Sequence, residues 1–291
     1  DVESLPIMIE ALETPGVVRR DAAWAIEQIG LPGAASARDP LMAVLPRTTA
    51  ADETQVVWTL AVLRESRAAD RILEMFASGR LQALQSFDPK VIVDVLGADR
   101  LKTERFTNHA SPAVRIMTAR SLAEAASPEV VAPLTSMLTN ELARTGNARI
   151  EEVIRAAAGG LGRSGSRDAA RPLFDLLQRE RSMRSSVLES LSKAAAAPQL
   201  VVLLGEAREP EVRRDMARLI ADTHDPRGAD ALAGLLADPD LQTRAVAALG
   251  LGELADARAF PVLVELAKIQ DNDGIRRPAL RALRFVSTPE T

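Results

Sequence analysis

Three kinds of residue in this 291-residue sequence could do chemistry. The stretch "GGLGRSG" at 159–165 sets Gly160, Gly162 and Gly165 in the order G-x-G-x-x-G, and "GLGELA" at 250–255 sets Gly250, Gly252 and Ala255 in the looser G-x-G-x-x-A. In a dinucleotide-binding loop such positions let the backbone approach a pyrophosphate at the start of a helix. Two histidines, His109 and His224, could bind a metal or move a proton. The 32 arginines, against four lysines, could make two-pronged contacts with carboxylates or phosphates.

Each chemistry needs a setting. The glycine fingerprint requires a strand before it and a βαβ unit around it. The residues ahead of it, "IEEVIRAAA", favour helix, and no stretch of the chain sustains the period-two alternation of a strand. In repeat register Gly162 aligns with Gly252, Ala221, Ala123 and Ala61, all small. Small residues there suit helices that approach closely, and Gly can also take a positive φ after a helix. No cofactor is therefore assigned. The histidines lie 115 residues apart with no further ligands gathered around them, so no metal site is assigned. Cysteine is absent, which excludes disulfides, thiolate metal sites and cysteine nucleophiles. No metalloprotease, nucleophile-elbow or Walker pattern occurs, and no carboxylate pair stands out. The expectation is a protein without catalytic residues, and not an enzyme.

The elements that would position these residues are helices in a repeat. "SPAVRIMTARSLAEAASPEVVAPLTSML" (111–138) aligns without a gap with "EPEVRRDMARLIADTHDPRGADALAGLL" (209–236), and "VVRRDAAWAI" (17–26) aligns with "EVRRDMARLI" (211–220). Apolar triplets at an anchor, +3 and +4 mark one helix face. Anchors fall at Met8, Leu41, Ile72, Ile92, Leu134, Leu173, Leu200, Leu232 and Leu263, with gaps averaging about 32 residues. Two gaps, 20 and 42, mark an irregular repeat and an insertion at about 77–110. Thr14, Asp88, Ser111, Ser127, Asp225 and Asp238 each precede proline and read as helix starts, with a capping side chain followed by a residue whose missing N–H costs nothing. The fold expected is all-α: a right-handed α-solenoid of about nine antiparallel helix pairs, helix A then helix B, forming a single domain over 1–291 with a convex and a concave face.

"DPDLQTRAVAALGLGELADARAFPVLVEL" (238–266) resembles HEAT repeats, most closely the short bacterial HEAT-like repeats first noted in phycobilin lyases. The resemblance implies an α-solenoid that works as a scaffold or adaptor, with a tetrapyrrole lyase or isomerase subunit as the alternative and a HEAT-like nucleic-acid-binding protein behind it. The net charge of −4 weighs against nucleic acid. No apolar run is long enough to span a membrane and no leader peptide is recognisable, so a cytoplasmic location is expected. The chain opens on Asp1 rather than Met, and the last unit lacks a following A helix after Val286, features expected of a piece of a longer protein.

Arg19, Arg115, Arg213 and Arg276 take the position after the apolar Val or Ile of their B helices, a slot that suits an internal ladder between repeats, with the arginines pairing with neighbouring carboxylates or carbonyls. Arg20, Arg214 and Arg277 come next and should point further outward. In 211–220, Val212, Met216, Leu219 and Ile220 define the core face, and Arg218 lies nearly opposite. Trp24 aligns with Arg218 and Arg120, and Trp58 falls in the same slot. The expected site is a concave face on which Trp24 and Trp58 anchor a protein partner and Arg20, Arg120, Arg214 and Arg218 meet its acidic groups; a one-residue shift in register would instead bury both tryptophans. The stretches 97–110 and 139–151 read as insertions that project from one edge or as solvated helix extensions.

Overall fold

Leucine, alanine and arginine fill the sequence between its proline and glycine breaks, and all three favour helix. The computed structural model describes residues 1–78, 80 and 88–286, and among them there is no strand. The chain forms two compact units, Asp1–Gly160 and Leu161–Thr291, with the boundary inside one helix.

In the first unit the pairs are α1 (Leu5–Ala11) with α2 (Val17–Ile29), α3 (Arg38–Val44) with α4 (Glu53–Val62), and α5 (Ala69–Ala77) with α6 (Pro89–Leu96). They continue as α7 (Ala98–Leu101) and α8 (Glu104–Thr107) with α9 (Pro112–Ala125), and α10 (Val131–Ala143) with α11 (Glu151–Arg163). In the second unit α12 (Ala170–Arg179) pairs with α13 (Arg184–Ala194), α14 (Ala197–Leu204) with α15 (Pro210–Asp222), α16 (Ala229–Gly234) with α17 (Leu241–Glu253), and α18 (Phe260–Ala267) with α19 (Asp273–Ala282). Successive B helices pack on one another, α2 on α4 and α6 on α9 in the first unit, α13 on α15 and α15 on α17 in the second. The architecture is that of an α-solenoid. The A-helix anchors Leu41, Ile72, Leu134, Leu173, Leu232 and Leu263 are fully buried, as the triplet pattern predicts.

The structure corrects the register in two places: Met8 is half-buried, and Leu5 and Leu12 bury this first pair instead; the larger change is at 92–110. Ile92, Val95 and Leu96 are buried on α6, which packs as a B helix. The missing A helix is the stretch 97–110, broken into α7 and α8 with Leu101 and Phe106 in the core. That stretch is a repeat element, not an insertion. With Leu101 as the anchor the gaps from Ile72 and to Leu134 become 29 and 33, close to the others. Residues 79 and 81–87 of the irregular segment lie outside the described residues. Of the stretch 139–151, residues 139–143 lengthen α10 with Glu141 buried, and Thr145, Gly146, Asn147 and Ala148 are exposed in the turn to α11.

The proline-linked helix starts hold in part. Asp88 and Asp225 accept backbone N–H bonds as caps. Ser111 and Ser127 begin helical segments without a side-chain capping bond. Gly16, not Thr14, precedes α2, and Asp240, two residues after Asp238, caps α17.

The glycine spacing has a packing cause. Positions two apart on a helix point roughly 200° apart. A Cβ on Gly250 would stand 2.5 Å from the Cβ of Ala221 on α15, and one on Gly252 3.0 Å from the Cβ of Ala282 on α19. In the first unit a Cβ on Gly160 would meet that of Ala123 at 2.8 Å; in the second, one on Gly162 would meet the backbone of Ser190 at 2.8 Å. The third position of the motif is the left-handed turn after the B helix: Gly165 has φ +69° and Ala255 +56°. Arg64, Ala126 and His224 end their B helices in the same way. We expect Ala255→Gly to stabilise the protein by about 1 kcal/mol, by relieving left-handed strain. Gly162→Ala should destabilise it by about 1–3 kcal/mol, because backbone must shift to admit the methyl. Urea denaturation reads both, and opposite signs are required.

Candidate partner-binding face

An arginine in the first turn of a B helix sets the polar framework on which any site rests. In α2 that residue is Arg19, 1% exposed. Its Nε donates to the carbonyl of Leu12 at 2.6 Å, and its Nη1 donates to the carbonyl of Arg47 and to Asp52 Oδ2, both at 3.0 Å. Asp52 also accepts from the Thr49 amide and hydroxyl and from the Gly16 amide. Burial pushes the Asp52 carboxyl up, but those hydrogen bonds together with Arg19 outweigh it and hold the group below its ordinary range.

Arg115 of α9, 2% exposed, repeats the arrangement. Nε and Nη2 grip Glu141 at 2.9 and 3.2 Å, Nη1 reaches the carbonyls of His109 and Ala110, and Nη2 that of Ala148. Glu141 accepts in turn from the Ile150 amide at 2.6 Å. In the second unit Arg213 of α15 grips Asp238 at 2.7 and 3.2 Å and the Arg208 carbonyl at 2.6 Å, and Arg244 of α17 donates to the carbonyls of Asp238 and Pro239. Each arginine thus holds the turn before its own helix, and Arg19, Arg115 and Arg213 also hold a carboxylate from the next turn. This is the expected ladder; Arg19 and Arg115 are buried in it, and Arg213 and Arg244 are partly buried. Arg276 departs from it: its ion pair is with Asp273, one turn earlier on α19. On α4 the equivalent place holds Glu53, which receives Arg71 and Arg80 instead.

A second pattern was legible in the spacing and was missed. Glu65 and Arg67, Asp225 and Arg227, and Asp256 and Arg258 share an acid-x-Arg signature at the turn from B to A. In each, the carboxylate caps the turn and the arginine two residues on folds back over it. Arg67 and Arg258 then reach Asp39 and Asp230 on the preceding A helices. The Arg67 hydrogen bond holds the Glu65 carboxyl down at about 2, against the upward push of burial.

Of the residues expected on the partner face, Trp24 is 55% exposed on α2, with Arg20 one turn before it and paired to Asp21 at 3.0 Å. Trp58 is corrected: it is 7% exposed and belongs to the core of the first unit. The register that aligned it with Trp24 is sound, since Val56, Val57 and Leu60 match the buried Ala22, Ala23 and Ile26. What differs is the helix: "VVWTLAVL" is apolar all round, and such a helix is covered on every side. Arg120 is half-buried on α9 and paired with Glu152. In the second unit Arg214 and Arg218 lie one turn apart on α15. Arg214 is paired with Asp240 at 2.9 Å, and Arg218 is exposed. Beside them Arg184 stands 2.5 Å from Asp215, whose carboxyl is pushed up by burial against the pull of Arg184, Arg218 and Arg214. Arg184 was not foreseen, because its partner lies 31 residues away on another helix.

His109 accepts from the Ser111 amide through Nδ1, and His224 stands 3.7 Å from Glu253. Among the described residues no His, Asp and Glu gather as a metal site, and no helix is long and apolar enough to cross a membrane.

The HEAT-repeat family model matches residues 103–192 and 197–284, more than half of the sequence. The chain belongs to the HEAT-repeat family. Solved structures similar to it include human deoxyhypusine hydroxylase in complex with glycerol, 16% identical over 98% of this chain and 96% of that one, with a TM-score of 0.31. The complex of CpcE and CpcF of phycocyanin lyase from a Nostoc species is 21% identical over 84% and 86%, TM-score 0.31. Uso1-1 is 15% identical over 92% and 54%, TM-score 0.35. At such scores these likenesses carry nothing about activity. No curated protein matches the sequence.

Two outcomes follow for the ladder and the turns. Arg115→Ala leaves Glu141 buried without its cation and should cost about 3–5 kcal/mol in urea denaturation; a loss below 1 kcal/mol would mean the pair is not buried in solution. Glu65 has a depressed carboxyl, so its contribution to stability is complete above its ordinary 4.5 and drains away as pH falls toward 2. The stability gap between the wild type and Glu65→Gln should therefore close across that window, and a gap that stays constant would refute the assignment.

Proposed function

We propose that this HEAT-repeat chain is a non-enzymatic binding module that captures a protein partner on the face presented by its B helices. HEAT repeats generally mediate protein interactions, and the exposure of Trp24 carries the reading here. The chain has two tryptophans; one is buried in the core and the other presents its ring to solvent. A large, stiff ring with a polar N–H is the side chain most enriched at the energetic centres of interfaces. Arg20 supplies a charged contact beside it. In the second unit Arg218, with Arg214 a turn away, supplies contacts to acidic groups of the partner, and Arg120 serves α9 by exchanging its half-buried Glu152 contact for one across the interface.

Paired substitutions test this. Trp24→Ala should leave stability within about 0.5 kcal/mol, as expected of an exposed site, while Trp58→Ala should cost about 3–5 kcal/mol through the cavity it leaves. In affinity capture from the native lysate, the Trp24→Ala protein should lose at least about tenfold of whatever the wild type retains. Retention of the same proteins at the same level by a fully folded Trp24→Ala variant would end the proposal.

A further inference from the structure

We propose that Arg184, Arg214 and Arg218 form a site for one oxyanion of an acidic protein partner, and that Asp215 occupies this site from within until the partner's group replaces it. The proposal rests on the reading of Arg214 and Arg218 as partner contacts; Trp24 plays no part in it.

All four residues lie in the second unit. On α15 the spacing of 211, 214, 215 and 218 sets Glu211, Arg214, Asp215 and Arg218 on one side of the helix. Asp215 is 8% exposed. Arg184 reaches it from α13, with Nη2 2.5 Å from Oδ2, and Arg214 and Arg218 act on it from its own helix. One carboxylate therefore lies amid three guanidinium groups.

The cations of this cluster are not used up. Arg218 is exposed and makes no ion pair among the described residues. Arg214 holds Asp240 at 2.9 Å with one end of its guanidinium, while its Nε is buried without an acceptor. The acid is also held loosely. The ladder carboxylate Asp238 takes two bonds from Arg213 and one from the Asp240 amide. Asp215 receives no backbone N–H, and its buried Oδ2 meets Arg184 without hydrogen-bond alignment. An incoming oxyanion can therefore take over the arginines, and Asp215 then takes up a proton.

The other charged groups on the surrounding helices have partners of their own or stand in solvent. Glu211 is 3.5 Å from Arg184, Arg213 holds Asp238, and Asp222 is exposed a turn beyond Arg218. On α13 Glu189 is held by Lys193, and α14 has no titratable residue. Asp230 of α16 is held by Arg258. On α17 Arg244 binds turn carbonyls and Glu253 faces His224. The proton on Asp215 thus sets the charge of the site. Burial pushes its carboxyl above the ordinary 3.8, against the pull of Arg184, Arg218 and Arg214. Protonation adds one positive charge, so oxyanion affinity rises as pH falls through this titration.

Sulfate is the probe, because its own charge is constant across that range. Its binding to the 291-residue protein is read from the side-chain NMR signals of the three arginines. All three should shift, and affinity should rise about fivefold or more from neutral pH toward 3.8. Asp215→Asn should bind sulfate tightly at neutral pH and lose the pH dependence. Arg218→Gln, at an exposed position, should keep the melting temperature and weaken binding about tenfold. A glutamate-rich peptide should displace sulfate at neutral pH, and its glutamine counterpart should not. The proposal is overturned by sulfate that leaves the three signals unmoved, by an affinity indifferent to pH or to Arg218→Gln, by a folded Asp215→Asn protein that binds no tighter than the wild type, or by a glutamate peptide that does not compete. If these outcomes hold while Trp24→Ala captures the same proteins as the wild type, the Trp24 reading fails and this site stands.

Discussion

A guanidinium in the first turn of the B helix, buried in Arg19 and Arg115 and partly buried in Arg213, is the contact on which the stacking depends. It sits where an A helix has ended and its last carbonyls have no partner within the helix. Arg19 caps such a carbonyl at Leu12, and Arg115 and Arg213 bind carbonyls of the turns ahead of their helices. The same fork reaches a carboxylate in the next turn: Asp52, Glu141 or Asp238. A lysine could meet one of these demands; only a planar group with five donors meets several at once. Burying such an ion is tolerable because nearly every donor is satisfied, and the geometry that satisfies it fixes how far the next pair can slide or turn. The carboxylates are similarly over-determined: Asp52 accepts from Thr49, Gly16 and Arg19 together.

That arrangement gives seven arginines a task that lysine could not perform. The ladder consumes arginines on one side, and the acid-x-Arg turns consume them on the other. Arg67 and Arg258 fold onto Glu65 and Asp256 before reaching the A helices behind them. These outer pairs are solvent-exposed and individually weak, but they share one turn geometry, and the left-handed residue just before each turn, Arg64 or Ala255, aims it.

Much of this was legible in the sequence. The repeat, the absence of strand, the buried triplets and the small residues at helix crossings all follow from local pattern, because burial at 3.6-residue periodicity leaves a mark wherever it occurs. The G-x-G pair is the clearest case: its two glycines record two neighbouring helices pressing from opposite sides. Two kinds of fact were not legible. One is which partner an arginine finds, since Arg184 and Asp215 are on different helices and nothing local links them. The other is where a repeat departs from its neighbours. Ile92, Val95 and Leu96 carry the A-helix triplet on a B helix, and Trp58 occupies the right slot on a helix with no open side.

These departures share a physical origin. A stacked repeat buries one face of each helix by the same contacts each time, so a slot has a fixed meaning only while the helix keeps a polar side. At α4 the ladder arginine is replaced by Glu53, the cation arrives from elsewhere, and the helix is apolar around its circumference. Once that side is lost, the aromatic in the slot follows the helix into the core. On α2 the ladder arginine remains, the helix keeps its polar side, and Trp24 remains in solvent. On these two helices the residue in the ladder slot, Arg19 or Glu53, thus tracks whether the tryptophan five positions later faces solvent or the core. In this chain the uniform slots build the stack, and the exception at α4 is a helix closed into the core.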